Sequence, residues 1–395
     1  MKAKKVLMMS VAAAFMLAAC GGQAAQPTTA PAATTAPAAE GEATTAPAAG
    51  GDTAATGECP GDKSRLASEL SWYTWGNYVS DDVMQRFTEA CGVTVKVDVY
   101  GSNEEMEAKF KAGGNPGYDL ITPSDYMVAK MAAAGMLEKI DFNNIPNYAN
   151  IDPGHKGLYF DPNNEYSVAY NWGTTGIAYD KTKVTTPITN WSQIMEPADE
   201  LQGKIGMLDD MRELLGMALR YKGFSANTSS PDEINAARDA LIEQKRFATN
   251  YSDSPTNATN LVAGDVIAAM IYTNDAIVAR SQNPNIEYVI PEPVSTIWQD
   301  NLAIPTGAPS KYTAEVFINF MLDPQNSADN ANEVGLTTPN AAALTQGLIS
   351  EELRNNRTVF PDVQALGDKL EYLRKGDPKV DELYQRAFDE VKAAQ

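Results

Sequence analysis

Residues 70–126 read LSWYTWGNYVSDDVMQRFTEACGVTVKVDVYGSNEEMEAKFKAGGNPGYDLITPSDY, and their patterning decides the fold class. Leu70 to Thr74 is an apolar, aromatic run of strand length. Ser80 stands where a helix needs a cap, Val83, Phe87 and Ala90 then share one helical face, and Gly92 supplies the stop. Val93, Val95, Val97 and Val99 alternate with Thr94, Lys96 and Asp98, the two-residue period of a strand packed on one face. A second helix is predicted from Asn103 to Ala112, closed by Gly113-Gly114, and a third strand from Tyr118 to Thr122. This strand–helix alternation predicts an α/β fold with a parallel sheet. Such sheets bind ligands where the carboxyl ends of their strands meet the loops. Trp75, Asn77 and Tyr78 follow the first strand, and Ser124 and Tyr126 follow the third. Aromatic residues at strand ends are more often packing, but two such loops in register favour a ligand site.

Upstream, Cys59 and Cys91 flank the first strand and helix, and a disulfide between them would pin the start of the globular body to the helix end. From Gly21 to Gly57 there is no Leu, Ile, Val, Met or aromatic residue, only Ala, Pro, Thr, Gly and a few polar residues in near-repeats of Thr-Thr-Ala-Pro-Ala. Such a segment buries too little to offset the entropy of ordering. Residues 20–57 are therefore read as a disordered Ala/Pro/Thr tether, with a flexible-coil reach of roughly 35 Å. Residues 1–19 carry Lys2, Lys4 and Lys5 and then an apolar run from Val6 to Ala19 broken only by Ser10, the pattern of a secretory signal peptide. Leu17-Ala18-Ala19-Cys20 looks like a bacterial lipobox, which implies lipidation at Cys20 and anchoring to the outer face of the cell membrane. An ordinary cleavage site beside an incidental Cys would instead release a soluble protein.

The 395 residues hold 31 Lys+Arg against 51 Asp+Glu, a net charge of −20, and loss of the three leader lysines would deepen it to −23. A nucleic-acid binder needs a basic stripe to displace counterions, so that class is excluded. His155 is the sole imidazole and there are three Cys, too few for a clustered His or four-thiolate metal site. No cofactor is called for, since the chain lacks a phosphate-binding Gly-rich loop, a Gly-x-Ser-x-Gly elbow, a His-Glu-x-x-His motif and a dinucleotide fingerprint. Asp161-Pro-Asn-Asn-Glu165 lacks the spacing and central Gly of a calcium loop. Cationic or neutral partners stay open.

Further along, Tyr170-Asn171-Trp172-Gly173 follows a polar strand and reads as a crossover. Lys204 to Asp209 leads into Asp210-Met211-Arg212-Glu213, where a helix start would favour carboxylates, and capping is the expected role of Asp209. Asp265 to Tyr272 is an apolar strand opening onto Asp275; Trp298 and Asp300 precede Leu302-Ala303-Ile304-Pro305; Thr313 to Leu322 predicts an amphipathic helix. From Ser350 onward the chain is charged and helical, with a break at Pro361.

Taken in order, Tyr73-Thr-Trp-Gly-Asn-Tyr78, Thr122-Pro-Ser-Asp-Tyr126, Phe160-Asp-Pro-Asn-Asn164, Leu208-Asp-Asp-Met-Arg-Glu213 and Trp298-Gln-Asp-Asn-Leu-Ala-Ile-Pro305 resemble the spermidine/putrescine-binding proteins of bacterial ABC importers, from about Leu70 to the C-terminus. The resemblance implies a two-lobed, periplasmic-binding-protein-like α/β fold of type II, each lobe a mostly parallel sheet flanked by helices. The ligand cleft lies between the lobes, which are joined by chain crossings near Trp172 and Asp300. It places 58–171 with 300–344 in one lobe and 172–299 with 345–395 in the other. It also implies a monomer that captures a polyamine and hands it to a membrane ABC permease. Ring contacts fall on Trp75, Tyr78, Tyr126, Tyr272 and Trp298, a polar contact on Ser124, and acidic contacts on Asp210, Glu213, Asp275 and Asp300. Tyr272 stands where family members often have Trp, Leu336 where they have Tyr, and Asn77 where some have an acid; these departures bear on ligand length rather than class. A quaternary amine or amino-alcohol receptor of the same fold, a surface glycosidase using Asp210 and Glu213, and a structural lipoprotein are the competing readings.

Overall fold

The computed structural model describes residues 57–394; the leader, Cys20 and most of the tether lie outside the described residues. Among the described residues ten strands form one mixed sheet: β1 (Glu69–Trp75), β2 (Thr94–Tyr100), β3 (Leu120–Ile121), β4 (Ser167–Asp180), β5 (Ile205–Leu208), β6 (Ala248–Ser252), β7 (Ala268–Tyr272), β8 (Ile286–Val289), β9 (Ser295–Ala303) and β10 (Leu370–Glu371). Their order is β2-β1-β3-β9-β4-β7-β5-β6, with β8 on β4 and β10 on β9. β1 runs parallel to β2 and β3, as the opening stretch predicts, and β5 runs parallel to β6 and β7. β4 and β9 run antiparallel to each other through the middle and join these two halves.

Two cores flank that pair. Val168, Ala169 and Tyr170 of β4 pack with Leu302 and Ala303 of β9, Trp72, Phe87 and Phe317. Further along the same strand, Ile177 and Tyr179 pack with Leu214, Leu215, Leu241 and Met270. The two ends of β4 thus belong to different cores. Tyr170 is the extra residue of a β-bulge between Ala169 and Asn171, and its phenol donates to the Tyr78 carbonyl at 2.6 Å, holding the loop after β1.

Local chemistry explains the first elements. Ser80 Oγ accepts the Val83 N–H at 3.2 Å and Gly92 ends the helix Asp81–Cys91 at φ 73°, a conformation that favours glycine. Cys59 and Cys91 are bonded to each other. The C-terminal helix Pro378–Ala393 packs on the second core through Tyr384, Ala387 and Val391, whereas Ile349, Leu353 and Val359 cluster with Ala328, Ala331 and Ala343.

Four local expectations are corrected. The third strand is two residues long, because Tyr118 and Thr122 lie outside its pairing register. Val99 is 61% exposed although it pairs with Thr74, since β2 is an edge strand and Val99 lines the cavity at its end. The helix Lys311–Met321 is buried from Thr313 to Met321 on every face, not amphipathic, with Glu315 taken up by the Asp141 N–H and the Asn144 amide. Asp210, not Asp209, caps the helix Met211–Tyr221; Asp209 pairs with Lys392.

Candidate functional site

The strand ends converge on a cavity of about 440 Å³, within the usual range for small-molecule sites. Trp75, Tyr78, Ser124, Tyr126, Asp210, Glu213, Tyr272, Asp275, Trp298 and Asp300 all line it. Glu105, Asp125 and Asp253 add further carboxylates, and no described lining residue is Lys, Arg or His.

Asp300 sits on β9 with 3% exposure. Ser124 Oγ donates to its Oδ1 at 2.5 Å and Tyr78 OH donates to Oδ2. Ser124 occupies the N-cap of the helix Asp125–Ala133, yet makes no side-chain cap, because its hydroxyl is turned to Asp300. A missing Ser cap costs about 1 kcal/mol, so the arrangement favours the carboxylate over the helix. Burial pushes the Asp300 carboxyl up to about 7, against the two hydrogen bonds that favour its ionised form.

Asp275 lies in the first turn of the helix Thr273–Gln282 and accepts Asn77 Nδ2 at 3.4 Å. Asn77 comes from the loop after β1, at φ 57°, so this contact spans the two halves. Burial raises Asp275 to about 6. Asp210 Oδ1 accepts the N–H groups of Arg212 and Glu213 at 3.1 and 3.0 Å, while its Oδ2 accepts Tyr272 OH at 3.3 Å. Burial and then the neighbouring Glu213 raise Asp210. Glu213 is raised by burial as well, and Thr296 Oγ1 donates to its Oε2 at 2.8 Å.

Ring faces fill the space between these acids. Trp75 meets Tyr272 edge to face at 6.3 Å between centroids, and Tyr272 meets Trp298 at 6.0 Å in the same manner. Trp75 is held from behind by Tyr100 at 4.6 Å and through Nε1 donating to the Thr122 carbonyl at 3.0 Å. Tyr126 OH donates to Glu104 at 3.0 Å. Trp298 Nε1 and the Asn274 side-chain oxygen are buried without a protein partner, and both residues line the cavity.

Sequence reading missed Tyr100, Asn103, Asp125 and Asp253 as lining residues. Tyr100 ends β2 and Asp253 follows β6, so the strand-end rule that singled out Trp75 would have found both had it been applied to every strand. Asp125 had no separate signal: it is buried and accepts the Gln299 N–H at 3.2 Å.

Two α/β halves on a shared pair of crossing strands, with an acidic, ring-lined cleft, define a two-lobed solute-binding receptor. The chain belongs to the family described as bacterial extracellular solute-binding protein, whose model matches residues 82–360. It is 38% identical over 299 residues to the spermidine/putrescine-binding periplasmic protein of Escherichia coli K12, covering 75% of this chain and 84% of that one. A putrescine-binding periplasmic protein of Pseudomonas aeruginosa is 32% identical over 314 residues, with 75% and 84% covered. Among solved structures, a putative spermidine/putrescine ABC transporter protein from Listeria monocytogenes superposes with TM-score 0.79 at 32% identity, covering 83% of this chain and all of that one. Among the described residues no helix is long and apolar enough to cross a membrane, and no group of three or more His, Cys, Asp or Glu is placed to hold a metal ion.

Proposed function

We propose that this protein captures a polyamine, putrescine or spermidine, in the cleft between its lobes and delivers it to a membrane ABC permease, acting as a monomeric receptor tethered through Cys20 and not as an enzyme. The observation that carries the reading is the alternation of carboxylates with ring faces in a cavity whose described lining has no cationic side chain. A polyamine is a row of ammonium groups separated by methylenes. It needs separated anions with flat apolar surface between them. Each CH₂ buried against Trp75, Tyr78, Tyr272 or Trp298 contributes about 0.8 kcal/mol, and each ring under an ammonium about 0.5 to 2 kcal/mol.

In this reading Asp300, with Tyr78 and Ser124 behind it, receives one ammonium. Asp275 or the Asp210–Glu213 pair receives another, and the free Asn274 oxygen accepts a further N–H. Tyr126 acts as a side wall. The oxygens of Asp210 and Glu213 are already engaged by helix N–H groups, Tyr272 and Thr296, which suits fixed anions better than a glycosidase's proton donor and nucleophile.

The test is a thermal-shift panel of the purified protein against putrescine, cadaverine, spermidine, spermine, choline and arginine. Stabilisation by diamines or triamines supports the proposal. Stabilisation by choline alone would transfer the site to a quaternary amine, and no shift with any amine would reject both.

A further inference from the structure

Behind Glu213 lies a buried cation that reaches no part of the cavity. Arg220, 2% exposed, projects from the last turn of the helix Met211–Tyr221. Its Nη1 donates to Thr296 Oγ1 at 2.7 Å, and that hydroxyl, having accepted one hydrogen bond, donates its own proton to Glu213 Oε2 at 2.8 Å. On its other side Nε donates to Glu371 Oε2 at 3.2 Å and Nη2 to the Glu371 carbonyl at 3.4 Å. Glu371 belongs to β10, which pairs with β9 at Thr296 itself. The same carboxylate accepts the Ala226 N–H and Asn227 Nδ2. Two residues on, Leu373 lines the cavity, and its carbonyl accepts Tyr159 OH.

We propose that Arg220 is a positioning residue for the binding site: through the Thr296 hydroxyl it orients the Glu213 carboxylate that lines the cavity, and through Glu371 it fixes the short C-terminal strand that brings Leu373 to the cavity wall. A buried guanidinium is tolerated only when its donors and charge are matched, and here the matching groups are one carboxylate of the C-terminal strand and, through a hydroxyl, one of the site. The direction of donation leaves Thr296 no choice of rotor, so Glu213 Oε2 is held in one place before a ligand arrives. This rests on the polyamine reading, in which Glu213 faces an ammonium.

Glu213 is faced by Asp210 and Arg212 at its own helix start, by Arg220 behind, by the phenols of Tyr272 and Tyr288, and by the hydroxyls of Thr175 and Thr296. Of the two cations, Arg220 acts on it more strongly, so removing the Arg220 charge favours the protonated carboxyl. The experiment is calorimetric titration of spermidine into the wild type, Arg220→Gln, Arg220→Lys, Thr296→Val, Glu213→Gln and the Arg220→Gln/Glu213→Gln double variant across neutral to alkaline pH.

Arg220→Gln is expected to bind about tenfold more weakly at neutral pH, the equivalent of one charge-assisted hydrogen bond. Its affinity should recover at higher pH, with the midpoint of the pH profile moved upward. Arg220→Lys should retain part of the affinity. Thr296→Val should reproduce the part of the loss that runs through Glu213 while keeping the Arg220–Glu371 pair, and it decides the matter if Arg220→Gln does not fold. In the Glu213→Gln background, Arg220→Gln should cost clearly less than in the wild type, only the part that runs through Glu371 and Leu373. Wild-type affinity and pH profile in both Arg220→Gln and Thr296→Val, or an equal loss with and without Glu213, would overturn the inference while the polyamine reading stands. A wild type that binds no polyamine would overturn both.

Discussion

Ser124 and Asp300 are joined twice, by an antiparallel backbone bridge and by a 2.5 Å hydrogen bond from the Ser124 hydroxyl to Oδ1 of Asp300. The bridge fixes the separation of the two Cα atoms, and the side-chain bond then fixes the carboxylate. With Tyr78 on the other oxygen, Asp300 is aimed before any ligand arrives, so little ordering cost is left for binding. Asp300→Asn is therefore expected to weaken putrescine binding by about 2 to 5 kcal/mol, the range for stranding one partner of a buried charge pair. Ser124→Ala should lose about 1 kcal/mol. Calorimetry on both variants checks this, and an Asp300→Asn protein that binds as the wild type does would remove Asp300 from the site.

Acidification should act in opposite directions on the fold and on the ligand. Burial holds Asp300 at about 7 and Asp275 at about 6 in the folded protein, whereas in the unfolded chain a carboxyl titrates near about 4. The folded, ligand-free protein therefore keeps protons that the unfolded chain releases. These two groups stabilise the empty fold at low pH and lose that contribution as pH rises through 6 and 7. An ammonium needs the ionised carboxylates, so affinity should fall as pH drops through the same window. The increase in Tm caused by putrescine is expected to shrink steadily on acidification, and an increase that grows instead would contradict the assignment.

Gly173 makes room for Trp298. A methyl group at Gly173 would lie 2.6 Å from two atoms of the indole, inside any real contact distance, and the two residues are paired across β4 and β9. Gly173→Ala should displace the ring from the cleft and weaken polyamine binding about tenfold, within the worth of a ring face against an ammonium and its methylenes. Tryptophan fluorescence on titration with spermidine would report it: the wild type should respond to ligand, and Gly173→Ala should respond less and saturate later.

The Cys59–Cys91 bond closes a loop with a sequence separation of 32. For a loop of that length the chain-entropy account gives about 3 to 4 kcal/mol of stabilisation. Neither sulfur lines the cavity. Cys59→Ala/Cys91→Ala is expected to lower the unfolding free energy by that amount and leave polyamine affinity unchanged, as denaturant titration and calorimetry would show.

Periodicity and chain punctuation were enough to place the helix Asp81–Cys91 with its cap and stop, the parallel strands of the first half, and the loops that carry Trp75, Tyr78, Ser124 and Tyr126. These features are local: a cap needs a hydroxyl within three residues, and an alternating strand announces which face it packs. Where both faces are covered, the pattern loses its meaning, which is why the helix Lys311–Met321 read as amphipathic although its last nine residues are all buried. The choice of Asp210 over Asp209 as cap turned on one residue of backbone geometry that no pattern records. The sequence by itself determined the fold class, the strand-end loops and the residue types suited to a multiply charged cation. Only the tertiary structure decided that Ser124 would leave its helix uncapped for Asp300, that Gly173 would seat Trp298, and that Arg220 would reach Glu213 through Thr296. Those partners lie far apart along the chain. They become neighbours only when β4 and β9 cross between the two cores, so hydrogen-bond satisfaction and close packing there are properties of the assembled sheet.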